Sequence, residues 1–246
     1  RHSSATKFHQ FLTAEKKPFG LTLLVDKPIE WTSFDVVNKL RYTAKRVTGR
    51  KKIKVGHAGT LDPLATGLVI ICVGSHTKLI NDLIGLSKQY TGTIKLGGTT
   101  PSYDLETEID QTFELPPRDS EALIKVAQQF VGEIEQMPPA FSAKKVNGQK
   151  AYHLARKGKE VNLKPAAISI QKFDIDPSSF PDINFILDCS KGTYVRSLAY
   201  DFGKALNSGA HLTSLRRTQI GDFKIENAHS IESAIEAIET ADIESQ

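Results

Sequence analysis

Asp62 is the side chain in this sequence most suited to chemistry. It lies in the stretch Val55-Gly56-His57-Ala58-Gly59-Thr60-Leu61-Asp62-Pro63-Leu64-Ala65-Thr66-Gly67, which holds three glycines, one proline, one acid and one histidine. A basic run, Lys45 to Lys54, precedes the stretch, and an apolar run, Leu68 to Val73, follows it. Glycine and proline mark an ordered, sharply turning loop, and the apolar run reads as a buried strand. Pro63 biases the backbone of Asp62 toward extended conformations. Gly56, Gly59 and Gly67 can take positive φ or admit another backbone closely. A carboxylate held this way, beside fixed positive charge, suits a group that must meet a polyanion. Residue types alone leave a second reading open, a structural loop whose Asp62 caps local N–H groups. Two phosphate-binding loops are excluded. No Gly-Lys-Ser/Thr closes a Walker A pattern, and the glycines miss the Rossmann spacing and precede a strand.

Positive charge is the second chemical feature. The net charge of the 246 residues is only +4, but its distribution is uneven. Lys45, Arg46, Arg50, Lys51, Lys52 and Lys54 crowd one segment with no acid among them, and Lys144, Lys145, Lys150, Arg156, Lys157 and Lys159 form another. Either run alone is an ordinary solvated face; two runs, one beside the glycine loop and one near aromatic residues, favour phosphate binding. The two cysteines, Cys72 and Cys189, end or interrupt apolar runs and read as core thiols. With no Cys-x-x-Cys and no His pair at ligand spacing, no metal site is expected. This cysteine usage, the absence of an apolar run of about 20 residues and the absence of an N-terminal apolar signal point to a cytoplasmic protein with no membrane partner.

The elements that must carry these residues follow from periodicity. Residues 1–20 read as a tail. Leu21 to Val25 is a strand, and Ser33 can cap a helix from Phe34 to about Val47, with Val36, Val37, Leu40 and Ala44 on one face. After the loop and the Leu68–Val73 strand comes a short amphipathic helix, Thr77 to Ile84. Lys88 to Leu96 alternates as a strand, with Tyr90, Gly92, Ile94 and Leu96 on one side. Gly97 to Asp110 is a polar loop. A helix starts at Ser120, Pro138-Pro139 breaks the pattern, and Asn147-Gly148 signals a turn before a helix from Gln149 to Lys157. Strands at Ile168–Ile175 and Ile183–Asp188, a helix at Thr193–Asn207, a strand from His211 to Ile225 and a helix from Ser230 complete the chain. Strands outnumber helices and many look hairpin-connected, so the fold class is antiparallel α+β.

The stretch Gly56 to Gly67 closely resembles the signature loop of the TruB family, the tRNA pseudouridine-55 synthases. Further segments resemble that family's motifs in order: Leu24-Val25-Asp26-Lys27-Pro28 with Trp31-Thr32-Ser33, Lys88-Gln89-Tyr90, Ser190-Lys191-Gly192-Thr193-Tyr194-Val195-Arg196, and Gly209-Ala210-His211-Leu212 to Arg216-Arg217. The likeness spans about residues 21 to 223. It implies the pseudouridine synthase fold, a central mixed, mostly antiparallel sheet with flanking helices and loops and a site in a cleft across it. One catalytic domain over 21–246 is expected. Too few residues follow the last predicted strand to form the C-terminal PUA domain that many relatives carry.

The resemblance also implies roles. The reaction breaks a C1′–N1 glycosidic bond, turns the uracil and rebuilds a C1′–C5 bond, with no cofactor. Asp62 corresponds to the nucleophile, attacking the sugar C1′ or the ring C6. Arg196 corresponds to the arginine that pairs with it and keeps it ionised. Tyr90 and Tyr194 correspond to residues contacting the target uridine. Tyr90 would stack on the base and serve or assist as proton acceptor, although an ordinary tyrosine pKa near 10 favours the stacking role. Leu215 corresponds to an apolar contact over the base. His57 corresponds to the histidine that props the space vacated when the uridine is extruded, a step costing a few kcal/mol. Lys27 with Pro28 is scaffolding. Asp104 follows the Tyr90 strand, and Pro101 stands where many relatives have Asp. Met137 to Gly158 corresponds to a segment clasping RNA, whose lysines would position phosphates without reading sequence. The expected partner is the T-arm of tRNA, met by a monomer. Two alternatives stand beside this enzyme: a catalytically silent RNA-binding or folding protein, and a guide-RNA-dependent synthase.

Overall fold

A computed structural model of the protein describes residues 19–140 and 163–241, with the backbone of two further short strands at 145–146 and 149–150. The chain divides into two compact units, one formed by residues up to Gly85 together with those from Asp222 on, the other by Leu86–Gly221. Each combines antiparallel sheet with helices, an α+β arrangement.

In the first unit, β1 (Gly20–Lys27) pairs antiparallel with the strand after the glycine loop, from Gly20 opposite Gly74 to Lys27 opposite Gly67. Phe19 and Gly20, read from sequence as the end of a tail, belong to this folded unit. Phe19 is buried and its carbonyl accepts from the Ser75 N–H at 2.8 Å. Helix α1 (Ser33–Thr48) buries Val36, Val37, Leu40 and Ala44, the face that periodicity picks out. Its cap is Thr32 rather than Ser33: the Thr32 hydroxyl accepts from the Asp35 N–H and the Asp35 carboxylate accepts from the Thr32 N–H, a reciprocal capping box. Ser33 is buried and has another use, described below. Gly49, at φ 68°, ends the helix. Strand β2 (Val55–His57) pairs with β3 (Ala65–Gly74), so the glycine-rich stretch is strand at both ends and turns only over 58–64. Leu68 to Val73 are all fully buried, which explains an apolar run without alternation. A 3₁₀ turn, Ser75–Leu79, leads into the one-turn helix α2 (Ile80–Ile84).

The second unit begins with β4 (Lys88–Leu96); of the face its alternation predicts, Tyr90, Ile94 and Leu96 are buried and Gly92 is half-buried, and Lys88 is buried as well. A two-residue ladder joins β5 (Gly98–Thr99), inside the segment read as a polar loop, to β6 (Gln111–Thr112), just past its end. Helix α3 (Ser120–Gln128) is capped by the Asp119 side chain. Strand β7 (Gly132–Gln136) escapes the sequence pattern because Ile134 is its only apolar residue and it runs along a sheet edge. Strands β8 (Lys145–Val146) and β9 (Gln149–Lys150) pair antiparallel, so Gln149 and Lys150 are strand, not the start of a helix; the turn expected at Asn147-Gly148 lies outside the described residues. The rest of that expected helix lies outside the described residues. Strands β10 (Ala166–Asp176) and β11 (Asp182–Cys189), helix α4 (Val195–Ala205) and β12 (Ala210–Ile220) follow. The sheet of this unit runs β12-β4-β11-β10-β7, antiparallel throughout. Its core is aromatic. Phe173 meets Phe202 and Phe185 edge to face with centroids at 5.8 and 6.0 Å, each such pair adding about 0.5–1.5 kcal/mol beyond area burial.

The chain then returns to the first unit. The backbone of His229 bonds Asp26 and Leu24 of β1, each at 2.8 Å, and helix α5 (Ile231–Glu239) buries Ala234 and Ile238. Among the described residues no helix is long and apolar enough to cross a membrane.

Candidate active site

In the first unit the loop bearing Asp62 is held at several points of its backbone. Leu61 is tied twice to the buried Ser33 side chain: its N–H donates to Ser33 Oγ at 3.0 Å, and Ser33 Oγ donates to its carbonyl at 3.3 Å. The carbonyl of Pro63 accepts from the Glu30 N–H at 2.7 Å and from Lys27 Nζ at 3.3 Å. The Ala65 N–H donates to the Asp62 carbonyl at 2.9 Å, closing the turn. Lys27, with no exposed surface, also donates to the carbonyls of Pro28 and Trp31, so one buried ammonium gathers three backbone oxygens. Gly59 and Gly67 sit at φ 99° and 109°, a backbone that favours glycine, whereas a Cβ on Gly56 would meet only the tip of the Ile80 side chain, at 2.7 Å. Within this frame Asp62 is half-buried, and His57 is half-buried at the end of β2, opposite Ile71. The basic run beside the loop is largely exposed. Lys45, Arg46, Lys51, Lys52 and Lys54 face outward, Arg50 lies over the Phe19 ring at 5.9 Å, and Arg46 pairs with Glu239 at 3.6 Å.

In the second unit, Tyr90 and Leu215 lie on neighbouring strands, Tyr90 opposite Arg217 and Leu215 opposite Gly92. Tyr90 is 7% exposed, more enclosed than a half-buried strand aromatic, and Leu215 is half-buried. Arg217 is buried almost completely. Two residues from Tyr90 on the same strand face, the Lys88 ammonium is pulled down to about 8, first by burial and then by the Arg217 charge. Burial pushes the Cys189 thiol, opposite Lys88, up to about 11, which suits an inert core thiol.

Tyr194 and Arg196 begin α4. Arg196 is 5% exposed, and its Nη1 donates to the Ser102 carbonyl at 3.1 Å. That carbonyl is fixed by a buried network in the segment expected to be a simple polar loop. Ser102 Oγ donates to Asp104 Oδ1 at 2.6 Å, and the Glu106 N–H donates to the same oxygen at 2.9 Å. The Tyr103 carbonyl accepts from the Leu212 N–H, and the Tyr103 ring stacks on Tyr200 at 4.1 Å. Tyr194 is half-buried, with its backbone bonded by the Gln136 side chain. The sequence does not single out Gln136 or Ser102, and it marks Ser33 only within a motif and as a helix cap, not as a tie to Leu61. Each is a polar residue whose use emerges only from long-range folding.

Thus His57 and Asp62 share one loop of the first unit, while Tyr90, Tyr194, Arg196 and Leu215 belong to the second. The Lys144–Lys159 basic segment lies outside the described side chains. Among the described residues, no cluster of His, Cys, Asp and Glu is placed to hold a metal ion.

Known proteins agree with the motif pattern. The family model for the N-terminal domain of TruB family pseudouridylate synthases matches residues 45–195, and that for the tRNA pseudouridylate synthase B C-terminal domain matches 196–245. The chain is 53% identical over 221 residues to tRNA pseudouridine synthase B of Flavobacterium johnsoniae, covering 89% of this chain and 96% of that protein. It is 52% identical over 225 residues to the enzyme of the same name from Phocaeicola vulgatus, covering 92% and 96%. Among solved structures it resembles a chain of a Cbf5-Nop10-Gar1 complex with TM-score 0.66 at 25% identity, covering 91% of this chain and 56% of that one. Relatives at this identity over nearly their whole length, and two family models that together run from residue 45 to 245, place the chain in the TruB family of pseudouridine synthases.

Proposed function

We propose that this chain is a stand-alone tRNA pseudouridine synthase that isomerises uridine 55 in the T-loop. The observation that carries the reading is the Asp62 loop: a half-buried carboxylate in a stretch that resembles the family's signature loop, on a backbone held by Ser33, Lys27 and Glu30. Preorganisation of this kind lets a carboxylate meet an extruded nucleotide without reorganising at the moment of reaction.

In this reading the Asp62 carboxylate attacks C1′ or C6 of the target nucleotide, and the C1′–N1 bond breaks. The uracil turns, a C1′–C5 bond forms, the C5 proton leaves, N1 takes up a proton in place of its lost bond to C1′, and the carboxylate is released. Reactant and product have the same formula, so no oxidant, reductant or group donor enters the balance. Arg196 corresponds by family resemblance to the partner of that carboxylate. Tyr90, Tyr194 and Leu215 hold the base, and His57 props the space it vacates. The T-arm backbone is held by the two basic segments, and the enzyme acts as a monomer.

The test is incubation of the protein with an unmodified tRNA transcript, followed by mapping of pseudouridine. Product at position 55 without any added RNA is the expected result. Tight binding without product selects the silent RNA-binding reading, and product only with an added guide RNA selects the guide-dependent one. Either outcome overturns the proposal.

A further inference from the structure

We propose that Gln136 is a positioning residue for this reaction, its buried amide holding the first turn of α4 and thereby Tyr194 and Arg196; this rests on the functional reading above. Gln136 is 2% exposed. Its Oε1 accepts from the Tyr194 N–H at 2.8 Å, and its Nε2 donates to the Tyr194 carbonyl at 3.1 Å. The two bonds use both ends of the amide on one residue's backbone, as a neighbouring strand would. Reversing the amide would face donor to donor and acceptor to acceptor, so only one orientation works.

Three features argue that this tether is about geometry. First, α4 lacks the usual device at its start. Thr32, Asp119 and Ser230 cap α1, α3 and α5 with their own side chains, whereas Tyr194 at the start of α4 makes no side-chain cap. Support arrives instead from a residue 58 positions away. Second, the same stretch supplies another tie, because Ser197 Oγ donates to the Met137 carbonyl at 2.8 Å. Third, an amide is a costly way to fill space. A buried polar group costs free energy unless its bonds are made, and Met would occupy a similar volume without that demand. Strand β7 is otherwise an exposed edge, with Gly132, Glu133 and Glu135 outward, and Gln136 is the residue it buries. The consequence falls on the residues that follow: Arg196 is the second residue of the helix, and its guanidinium must reach the Ser102 carbonyl from that turn.

The test is Gln136→Met, which keeps bulk and removes both bonds. In the full chain, kcat should fall about 10–100-fold while KM for tRNA stays within about threefold, the pattern of a group misplaced by a fraction of an ångström. Amide hydrogen exchange at Tyr194 and the following residues should speed up by at least about tenfold. If Gln136→Met does not fold, Ser197→Ala, which cuts only the second tie, should lower kcat by about 2–5-fold at unchanged KM. A Gln136→Met enzyme with kcat within twofold of the parent, or with loss confined to KM, overturns the proposal, as does unchanged exchange in α4. If the parent makes no pseudouridine, the functional reading fails separately, and the exchange measurement still decides whether Gln136 holds this turn.

Discussion

The Asp62 loop and the start of α4 solve the same problem, holding one charged side chain still, by opposite means. The loop is built from backbone. Two glycines at positive φ, a proline and a buried ammonium contacting three carbonyls fix its course, and the partners Lys27, Glu30 and Ser33 lie within about one strand and one turn of each other. The start of α4 is built from side chains and loops that meet only after folding: Gln136 from β7, Ser102 from the segment between β5 and β6, and Met137 beyond β7. A frame made of backbone cannot be loosened without loosening the unit that contains it. One made of single side-chain bonds can be cut with little cost to the rest. The comparison therefore separates two kinds of mutational effect, stability and activity lost together in the loop, activity lost alone at α4.

After Asp62 itself, the largest effect is expected at Arg196. Arg196→Met should lower kcat/KM by about 10²–10³-fold, and Arg196→Lys should recover little, because an ammonium cannot donate to the Ser102 carbonyl and present a flat fork elsewhere at once. Thermal unfolding should change by far less than for a loop mutant. Single-turnover kinetics beside a melting curve checks both, and a large drop in melting temperature with modest loss of rate would erase the contrast.

Lys27→Met is the matching change in the loop. It leaves the part-buried carbonyls of Pro28, Trp31 and Pro63 without their charged donor, at a cost of about 1–3 kcal/mol. A lower urea midpoint and a fall in kcat should appear together. Loss of activity at parental stability would show that the loop too is tuned by single bonds.

The first region is legible in the sequence because its information is contiguous. Glycine, proline and an acid in one run announce a turn with a fixed carboxylate, and the apolar residues after it announce the strand that anchors it. Even there Ser33 misleads: the sequence offers it as a helix cap, but Thr32 completes the box with Asp35, which frees Ser33 for Leu61. In the second unit, periodicity finds β4, β10, β11 and β12, and motif likeness marks Tyr90, Tyr194 and Arg196. What holds them is not local. Strand β7 has one apolar residue, Gln136 looks like any surface glutamine, and the segment around Asp104 reads as solvent-facing although Ser102 and Asp104 are buried. Polar residues whose partners lie 58 to 94 positions away leave no periodic trace.

A smaller effect concerns the exposed cations beside the loop. If Lys51, Lys52 and Lys54 neutralise phosphates, affinity for tRNA should fall as salt rises, and replacing the three with Gln should flatten the slope of log K against log salt by about 2–3. A slope unchanged by the triple substitution would remove the basic run from the interface.

The smallest expected effect lies on α4. Burial pushes the Asp201 carboxyl up to about 6, partly offset by Lys204. A carboxyl raised from 3.8 stabilises the fold fully below its unfolded value, and that contribution is lost as pH climbs through about 6. Asp201→Asn, neutral at every pH, should therefore melt higher than the parent at pH 8, by roughly 2–6 °C, and the two should converge near pH 4. A constant difference across that range would mean the carboxylate is not disfavoured by its surroundings.

The central claim is that the Asp62 carboxylate does the chemistry and is not merely part of a loop that binds RNA. Asp62→Asn keeps shape and removes the nucleophile, so the most direct test is single-turnover pseudouridine formation by this variant on saturating tRNA, with affinity measured in parallel. The account expects product formation to be abolished, by at least about 10⁴-fold, with Kd for tRNA within about threefold of the parent. Turnover near the parental rate, or loss of activity that tracks loss of tRNA binding, would contradict it.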